Sequence, residues 1–547
     1  GFVFNYFRMK TSIALILICI YTASFSQESA IKWQQCYGTP DWNMTHAIEK
    51  TANGYLLGIE ARIDDPGITN YHGTYDIWIV NINSIGSIIW EKCYGGSDGE
   101  TIEKIIKKSD DEIFLFGYTF STDGDVQSYN HGGGDLWVVK INGIGDTLFE
   151  KCYGSPGPDD PRDMILTPDG GFVLLCRIAA SGGDVTQYYG SWDNWMCKCD
   201  SLGNIEWEKT IGNEWLDSGM QMLINSEGHI MMIGAAAHYG GIVDCDAEDY
   251  MGDVWLVELD MAGNVLWQHC YGGSSYELGY VIKELEDGYI FAVSCSSADG
   301  DVTGHHGPGG NPPVGKSDIW VVRINDQGNI TWQKSLGGYD YETPYFIDHI
   351  SDGGFIVIGT TNSNDGDVNG NHALPGSGYY DIWVVKLSST GDLVWQKCIG
   401  GMGNERFESV HSVVKKGDYN YVIAAETNYK SGNDDIQCDI HTNGDYDAWV
   451  FEIDTIDTTD IIETLNANNV MRVYPNPAKE YVVFECVGVQ ANRQVQNFIQ
   501  IVNVFGQAVE TLELRGDKAV WVTEGVKPGV YFYKTKGCGY MGKVVIR

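Results

Sequence analysis

Asp381-Ile-Trp-Val-Val-Lys-Leu-Ser-Ser-Thr-Gly-Asp-Leu-Val-Trp-Gln-Lys-Cys-Ile-Gly-Gly401 returns along the chain in altered copies, and that return decides the fold. Its Asp-x-Trp opening recurs at Trp78, Trp137, Trp195, Trp255, Trp320, Trp383 and Trp449, with gaps of 59, 58, 60, 65, 63 and 66 residues. Each unit holds four strand-like segments. In the sixth, Ile330–Leu336 is strand A, Tyr345–Ile350 strand B, Phe355–Thr360 strand C and Asp381–Leu387 strand D. Short β-branched and aromatic runs between Gly and Asp turns are strand signals. Strand D passes into the next strand A through Asn83-Ser-Ile-Gly86, Asp260-Met-Ala-Gly263 or Asn325-Asp-Gln-Gly328, where glycine suits a hairpin residue at positive φ.

Four antiparallel strands every ~60 residues describe a propeller blade. The array begins on a strand A, Ile31–Tyr37, and stops on a strand D, Asp447–Ile453. Every interior D pairs with the A after it, so the two end strands are expected to pair and close a ring of seven blades. A solenoid would need atypical caps instead.

The chain has 547 residues, 43% hydrophobic and 12% aromatic, with 74 acidic against 35 basic side chains and a net charge of −39. Phosphate binding needs a basic surface, so nucleic acid is a poor partner. The acidity suits an extracellular protein or one that collects cations. Arg8 and Lys10 precede the apolar run Ile13–Ile20, and Ser24-Phe-Ser26 offers small residues for cleavage before Gln27. That is a removable secretion signal, too short to span a bilayer. Met9 is the natural start, with Gly1–Arg8 an upstream extension, and Ile18 is too bulky before Cys19 for a lipoprotein signal. No later run approaches ~18 apolar residues, so no membrane span is expected in the mature protein.

Fourteen cysteines in an exported chain would ordinarily mean disulfides. Here Cys36, Cys93, Cys152, Cys270 and Cys398 share one repeat position, where equivalents lie too far apart to bond. They read as small buried strand residues, as do Cys197 and Cys199, leaving Cys245 and Cys438, in long loops, as the reactive thiols.

The pattern Gly-Gly-x-x-x-(Asp/Glu), then Asp-Gly-Gly-(Phe/Tyr)-Ile-x-x-Gly, is carried by Gly95-Gly96 with Glu100, Gly337-Gly338 with Glu342, and Gly353–Ile356. It resembles bacterial SBBP-type β-propeller repeats over roughly residues 31–454. After a polar linker the chain continues with Val473-Tyr474-Pro475-Asn476-Pro477-Ala478, Val504-Phe-Gly506-Gln507, Gly529-Val-Tyr531-Phe and Gly542-Lys543-Val-Val. That set resembles the type A C-terminal sorting domain of the type IX secretion system of Bacteroidota. The resemblance implies a small β-sandwich read by the outer-membrane translocon and the surface sorting machinery. The expected organisation is thus an upstream extension and signal at 1–26, a propeller at 27–454, a linker at 455–466 and the sorting domain at 467–547. The fold class is all-β, and the protein is expected to pass through the periplasm to the cell surface or medium.

Strand parity puts the A–B and C–D loops on one face and only tight turns on the other, so a ligand site is expected on the loop face. Its C–D loops repeat Asp123-Gly-Asp125, Asp299-Gly-Asp301 and Asp365-Gly-Asp367, with His72, His131, His305, His306 and His372 nearby. Calcium and plain Asx turns both account for such a pattern, so calcium is the one cofactor considered. Zinc lacks a supporting His or Cys spacing. The A–B loops carry Trp42, Trp215, Tyr276, Tyr339 and Tyr341, aromatics suited either to stacking sugar rings or to shielding blade ends. No nucleophile, zinc-protease or phosphate-loop motif is present, so no catalytic residue is assigned. Glu100, Glu277, Glu342 and Glu405 recur at one position, which points to a turn or cap. A glycan- or protein-binding module is the leading expectation. A polysaccharide hydrolase or lyase with an acidic pair on the loop face is the rival, and a purely structural surface protein the third reading.

Overall fold

The computed structural model describes residues 31–455 apart from 63–69, 238–239, 245–251, 308–315, 374–375, 429–434 and 441–444. Beyond them it describes 470–547 apart from 475–477, 488–497, 504–507, 514–517, 524 and 537–540. The secretion signal read at the amino terminus lies outside the described residues, as do Cys245, Pro475–Pro477 and Gly506.

Seven four-stranded antiparallel sheets follow one another along residues 31–454. In blade one the strands Asn43–Lys50, Gly54–Ala61, Asp76–Asn83 and Ile88–Tyr94 pair in the order B, C, D and the following A. Strand B of one blade packs against strand B of the next, so B lines the axis and A forms the rim. In unit six strand B runs Glu342–His349, starting three residues before the apolar run that announces it in the sequence. Blade seven is completed by the first strand of the chain. Ile31–Tyr37 lies antiparallel to Asp447–Asp454, from Ile31 opposite Ile453 to Tyr37 opposite Ala448. The chain therefore forms a seven-bladed β-propeller closed by its own end strands.

The repeated residues hold the ring in two ways. Each strand D tryptophan is buried between blades, and in blades two to six its indole N–H reaches a strand A side chain thirteen residues on. Trp137 donates to Glu150 at 2.9 Å, Trp195 to Glu208 at 2.7 Å and Trp383 to Gln396 at 2.7 Å. The last of the series crosses the closure, Trp449 to Gln34 at 3.0 Å. Four strands A end in a tyrosine, Tyr37, Tyr94, Tyr153 and Tyr271, whose hydroxyl ties one blade to the next. Tyr94 donates to the Gly145 carbonyl at 2.5 Å and Tyr271 to Gly328 at 2.7 Å. Those glycines end the D–A hairpins, where all six interior copies have φ between 72° and 88°.

Two expectations are corrected. Cys36 is bonded to Cys438, 402 residues away, with Cα atoms 5.5 Å apart, and Cys270 is also disulfide-bonded. Equivalent cysteines are indeed too far apart to join one another. However, the C–D loop of blade seven folds over that blade's own outer strand and brings Cys438, read as a reactive thiol, beside Cys36. Cys93, Cys152, Cys197, Cys199 and Cys398 are free and buried, as their strand positions suggest. The second correction concerns blade seven, which is not regular. Glu405 precedes its first paired strand residue, Val413, by eight positions, whereas Glu342 precedes the equivalent Ile347 by five. The extra residues fill the axis, as described below.

The C-terminal part forms a three-stranded sheet (Val470–Tyr474, Tyr481–Val487, Lys518–Val522) and a four-stranded one (Phe498–Asn503, Ala508–Glu513, Gly529–Lys536, Met541–Ile546). Phe484 and Trp521 of the first pack with Ile499, Tyr533 and Val544 of the second, as in a β-sandwich. No helix among the described residues is long and apolar enough to cross a membrane.

Candidate functional site

The loop face is built on seven similar seams. At six of them the aspartate opening strand D faces the acid opening strand B of the next blade across a glycine. A Cβ on Gly95 would meet Glu100 Oε2 at 2.5 Å and Asp76 Cγ at 2.8 Å, so only glycine lets the two carboxyls meet. Asp135 with Asp159, Asp193 with Asp217, Asp318 with Glu342 and Asp381 with Glu405 repeat the arrangement, all buried. The B-strand acid accepts the next backbone N–H, Gly96 to Glu100 at 2.9 Å and Gly338 to Glu342 at 3.0 Å. Asn43 replaces the acid at the closing seam, opposite Asp447. Burial and the facing acid push Asp76 up to about 6, Glu342 to about 7, and Asp159 and Asp217 to about 8.

The Asp-Gly-Asp loops close over these seams. Asp123 accepts the Ser97 N–H at 2.7 Å, Asp299 the Ser274 N–H at 2.8 Å and Asp365 the Tyr339 N–H at 2.8 Å. Asp125 and Asp301 accept from Gly95 and Gly272, both at 3.3 Å. Asp367 instead faces His306 Nε2 at 3.5 Å. That histidine donates its backbone N–H to Asp318 at 3.0 Å and sets Nδ1 2.8 Å from the same oxygen. His131 and His372 bridge Asp135 to Asp184 and Asp381 to Asp435 in the same way. The recurring histidines thus clasp one blade to the next. Among the described residues, three metal-type ligand atoms lie within 4.8 Å of one another only at Glu227, His229 and Glu258, by the tight-turn face.

The five aromatics singled out in the sequence all lie on this face. Trp42, Tyr276 and Tyr341 each stand just before a seam residue, and their carbonyls accept the N–H of Arg62, Ser296 and Asn362. Trp215, Tyr339 and Tyr341 are exposed by 43%, 55% and 42%, whereas Tyr276 is half-buried. The structure brings together only Tyr339 and Tyr341, both beneath Lys316 at 5.0 and 5.9 Å.

Sequence reading overlooked the axis. Strands B of the first six blades all slip register at one equivalent position, and the bulged residues there are His46, Glu103, Arg162, Met220, Tyr280 and Tyr345. Their identities change from blade to blade although each stands three residues after the residue that opens its strand B, and that constant spacing was the available signal. In blade seven the extra stretch Phe407–Ser412 reaches across instead. Phe407 packs on Tyr345 at 4.9 Å, Ser409 donates to Glu103 at 2.7 Å, and His411 lies 3.3 Å from Asp163, which also holds Lys104 at 2.6 Å. These contacts plug the channel below its loop-face mouth.

That mouth is divided. Blades one, two and seven supply Glu60, Glu103, Glu408 and Glu426, with His46 3.6 Å from Glu60 and Arg406 3.0 Å from Glu426. Burial drives Glu426 up to about 8 and raises Glu103. Burial alone would lower His46, but Glu60, Glu103 and Glu408 outweigh it and lift it to about 9. Blades three and five supply Arg162, Arg177, Tyr276 and Tyr280. Both arginines bond Asp160, at 2.6 and 3.1 Å, and Arg177 lies 5.2 Å from the Trp192 ring. Among the described residues, strand B of blade four places Ser218 and Met220 between them, and Tyr276 comes within electrostatic reach of both guanidinium groups.

Residues 472–547 match the family described as the secretion system C-terminal sorting domain. That tail marks the chain for export by the type IX system to the cell surface or medium, and it engages the secretion machinery. No curated protein matches the chain. Among solved structures, puromycin hydrolase is 11% identical with a TM-score of 0.34, covering 74% of this chain, which spans only 52% of that one. Hydrazine synthase of Kuenenia stuttgartiensis is 12% identical at 0.36, covering 72% and 94%. PorZ, a surface component of the type IX secretion system of Porphyromonas gingivalis, is 10% identical at 0.21, covering 92% and 81%. At such scores these likenesses carry no functional argument, and the propeller stands on its own strand pairing.

Proposed function

We infer that this exported propeller is a non-catalytic binding module for glycan or protein, displayed on or released from a Bacteroidota cell, with its ligand at the loop-face mouth of the central channel. The observation that carries the reading is the aromatic rim around a polar, plugged channel. Trp42 beside Arg62, Trp192 beside Arg177, and Tyr446 beside Arg406 put flat rings next to hydrogen-bonding groups at separations of 5.6, 5.2 and 4.3 Å. Such surfaces suit sugar rings, which pair an apolar face with equatorial hydroxyls. The test is a glycan array probed with the full chain in calcium and again in chelator. Binding to one glycan class supports the module. Dependence on calcium would give the Asp-Gly-Asp loops a metal as well as their turn duty, and an array blank in both buffers would turn the search to protein partners or a structural role.

A second reading, a polysaccharide hydrolase or lyase, is favoured by two buried carboxyls at the mouth, Glu103, which burial raises, and Glu426, held up to about 8 and so suited to proton transfer near neutral pH. It requires product release from a bound polysaccharide that Glu103→Gln abolishes without loss of binding.

A further inference from the structure

We propose that the channel mouth recognises an acidic sugar, with the carboxylate of a uronate residue on Arg162 and Arg177 and its ring against Trp192 and Tyr276. This rests on the glycan reading above and names the class of glycan. The chain carries a net charge of −39, yet four of the five arginines between residues 27 and 454 (Arg62, Arg162, Arg177 and Arg406) stand around this one opening. The fifth, Arg323, sits on a strand D and pairs with Asp287 beside a tight turn. At blade three two guanidinium groups bond the single carboxylate of Asp160, an excess of guanidinium over directly bonded acid, with Glu103 also within electrostatic reach of Arg162.

A neutral sugar has no use for that excess, and a cationic ligand would be repelled by it. The planar fork of arginine matches a carboxylate in two parallel hydrogen bonds, a geometry lysine lacks. Tyr276 and Tyr280, on the blade beyond Ser218 and Met220, bring phenol groups within electrostatic reach of Arg162. Glu60, Glu408 and Glu426 of blades one and seven occupy the opposite side, so the field across the mouth orients a ligand with its acid toward blade three.

The test is calorimetric titration of the full chain with oligosaccharides of galacturonate, glucuronate, mannuronate and guluronate, each beside its carboxyl-reduced neutral counterpart. One uronate series is expected to bind at least tenfold tighter than its reduced form, and Arg177→Gln to remove that advantage while the thermal unfolding midpoint stays put. If the variant fails to fold, salt dependence of the intact protein decides. Uronate binding should weaken severalfold between 50 and 500 mM salt, by the general screening of charge pairs. Reduced oligosaccharides that bind as tightly as the acids, or uronate binding indifferent to salt, would overturn carboxylate recognition and leave the glycan reading intact. Silence from both series would overturn the two together.

Discussion

Single residues at the two ends of the ring carry disproportionate weight. Cys36 and Cys438 join the first strand to the last loop, so Cys438→Ser should lower stability by about 2–5 kcal/mol, the usual range for a native disulfide. Thermal unfolding with and without reductant checks this, and an unchanged midpoint would mean that strand pairing alone holds the closure. The pair was invisible to a comparison of repeat equivalents because a disulfide joins a repeat position to a loop position, and loops have no equivalents to align. Tyr276 was legible for the opposite reason, as a bulky residue breaking into a Gly- and Ser-rich turn. Tyr276→Ala should weaken glycan capture by on the order of 1–2 kcal/mol, about tenfold. The calorimetric titration described above would show it, and unaltered affinity would move the site to another part of the rim.

At the scale of the blade, the seams make stability fall as pH rises. Asp159 and Asp217, held up to about 8, and Glu342, at about 7, keep protons in the native state that an unfolded chain has released above pH ~4. Each therefore contributes a loss of about 1.4 kcal/mol per pH unit between its unfolded and folded values. His306 and His372, raised by hydrogen bonds to Asp318 and Asp381, act with the same sign. Their stabilisation is full below ~6.5 and is lost as pH climbs through their folded values. Asp163 opposes them at the acid end. Lys104 and His411 overcome its burial and hold it at about 2, so its contribution vanishes only as pH falls toward that value. The unfolding midpoint should thus be higher at pH 5 than at pH 8. Asp217→Asn, which copies Asn43 at the closing seam, should flatten the difference. A midpoint that rises from pH 5 to 8 would contradict shared protons at the seams. The sequence displayed these acids plainly, one per repeat. It could not display that they face one another, because the partners come from different blades.

At the scale of the whole molecule, the repeat and the tail were legible and the axis was not. Blade number follows from spacing and from which strands begin and end the array, both one-dimensional facts. The plug formed by Phe407–Ser412 depends on three extra residues, too small a change to stand out among repeats of 58 to 66. Removal of residues 472–547 should stop the propeller from reaching the surface of a host with type IX secretion while it still accumulates inside, as fractionation and blotting would show. Surface appearance without the tail would divorce export from it. The order of the parts also has a bearing on quality control. The strand that completes blade seven is the first of the ring to be made, and it waits unpaired until Asp447–Asp454 arrives. A chain cut short anywhere in the array leaves that waiting strand bare and sticky, and it also lacks the address that follows. Only a polypeptide that has all its blades can present the ticket for export, so placement of the sorting tail after the closing strand works as a proofreading step.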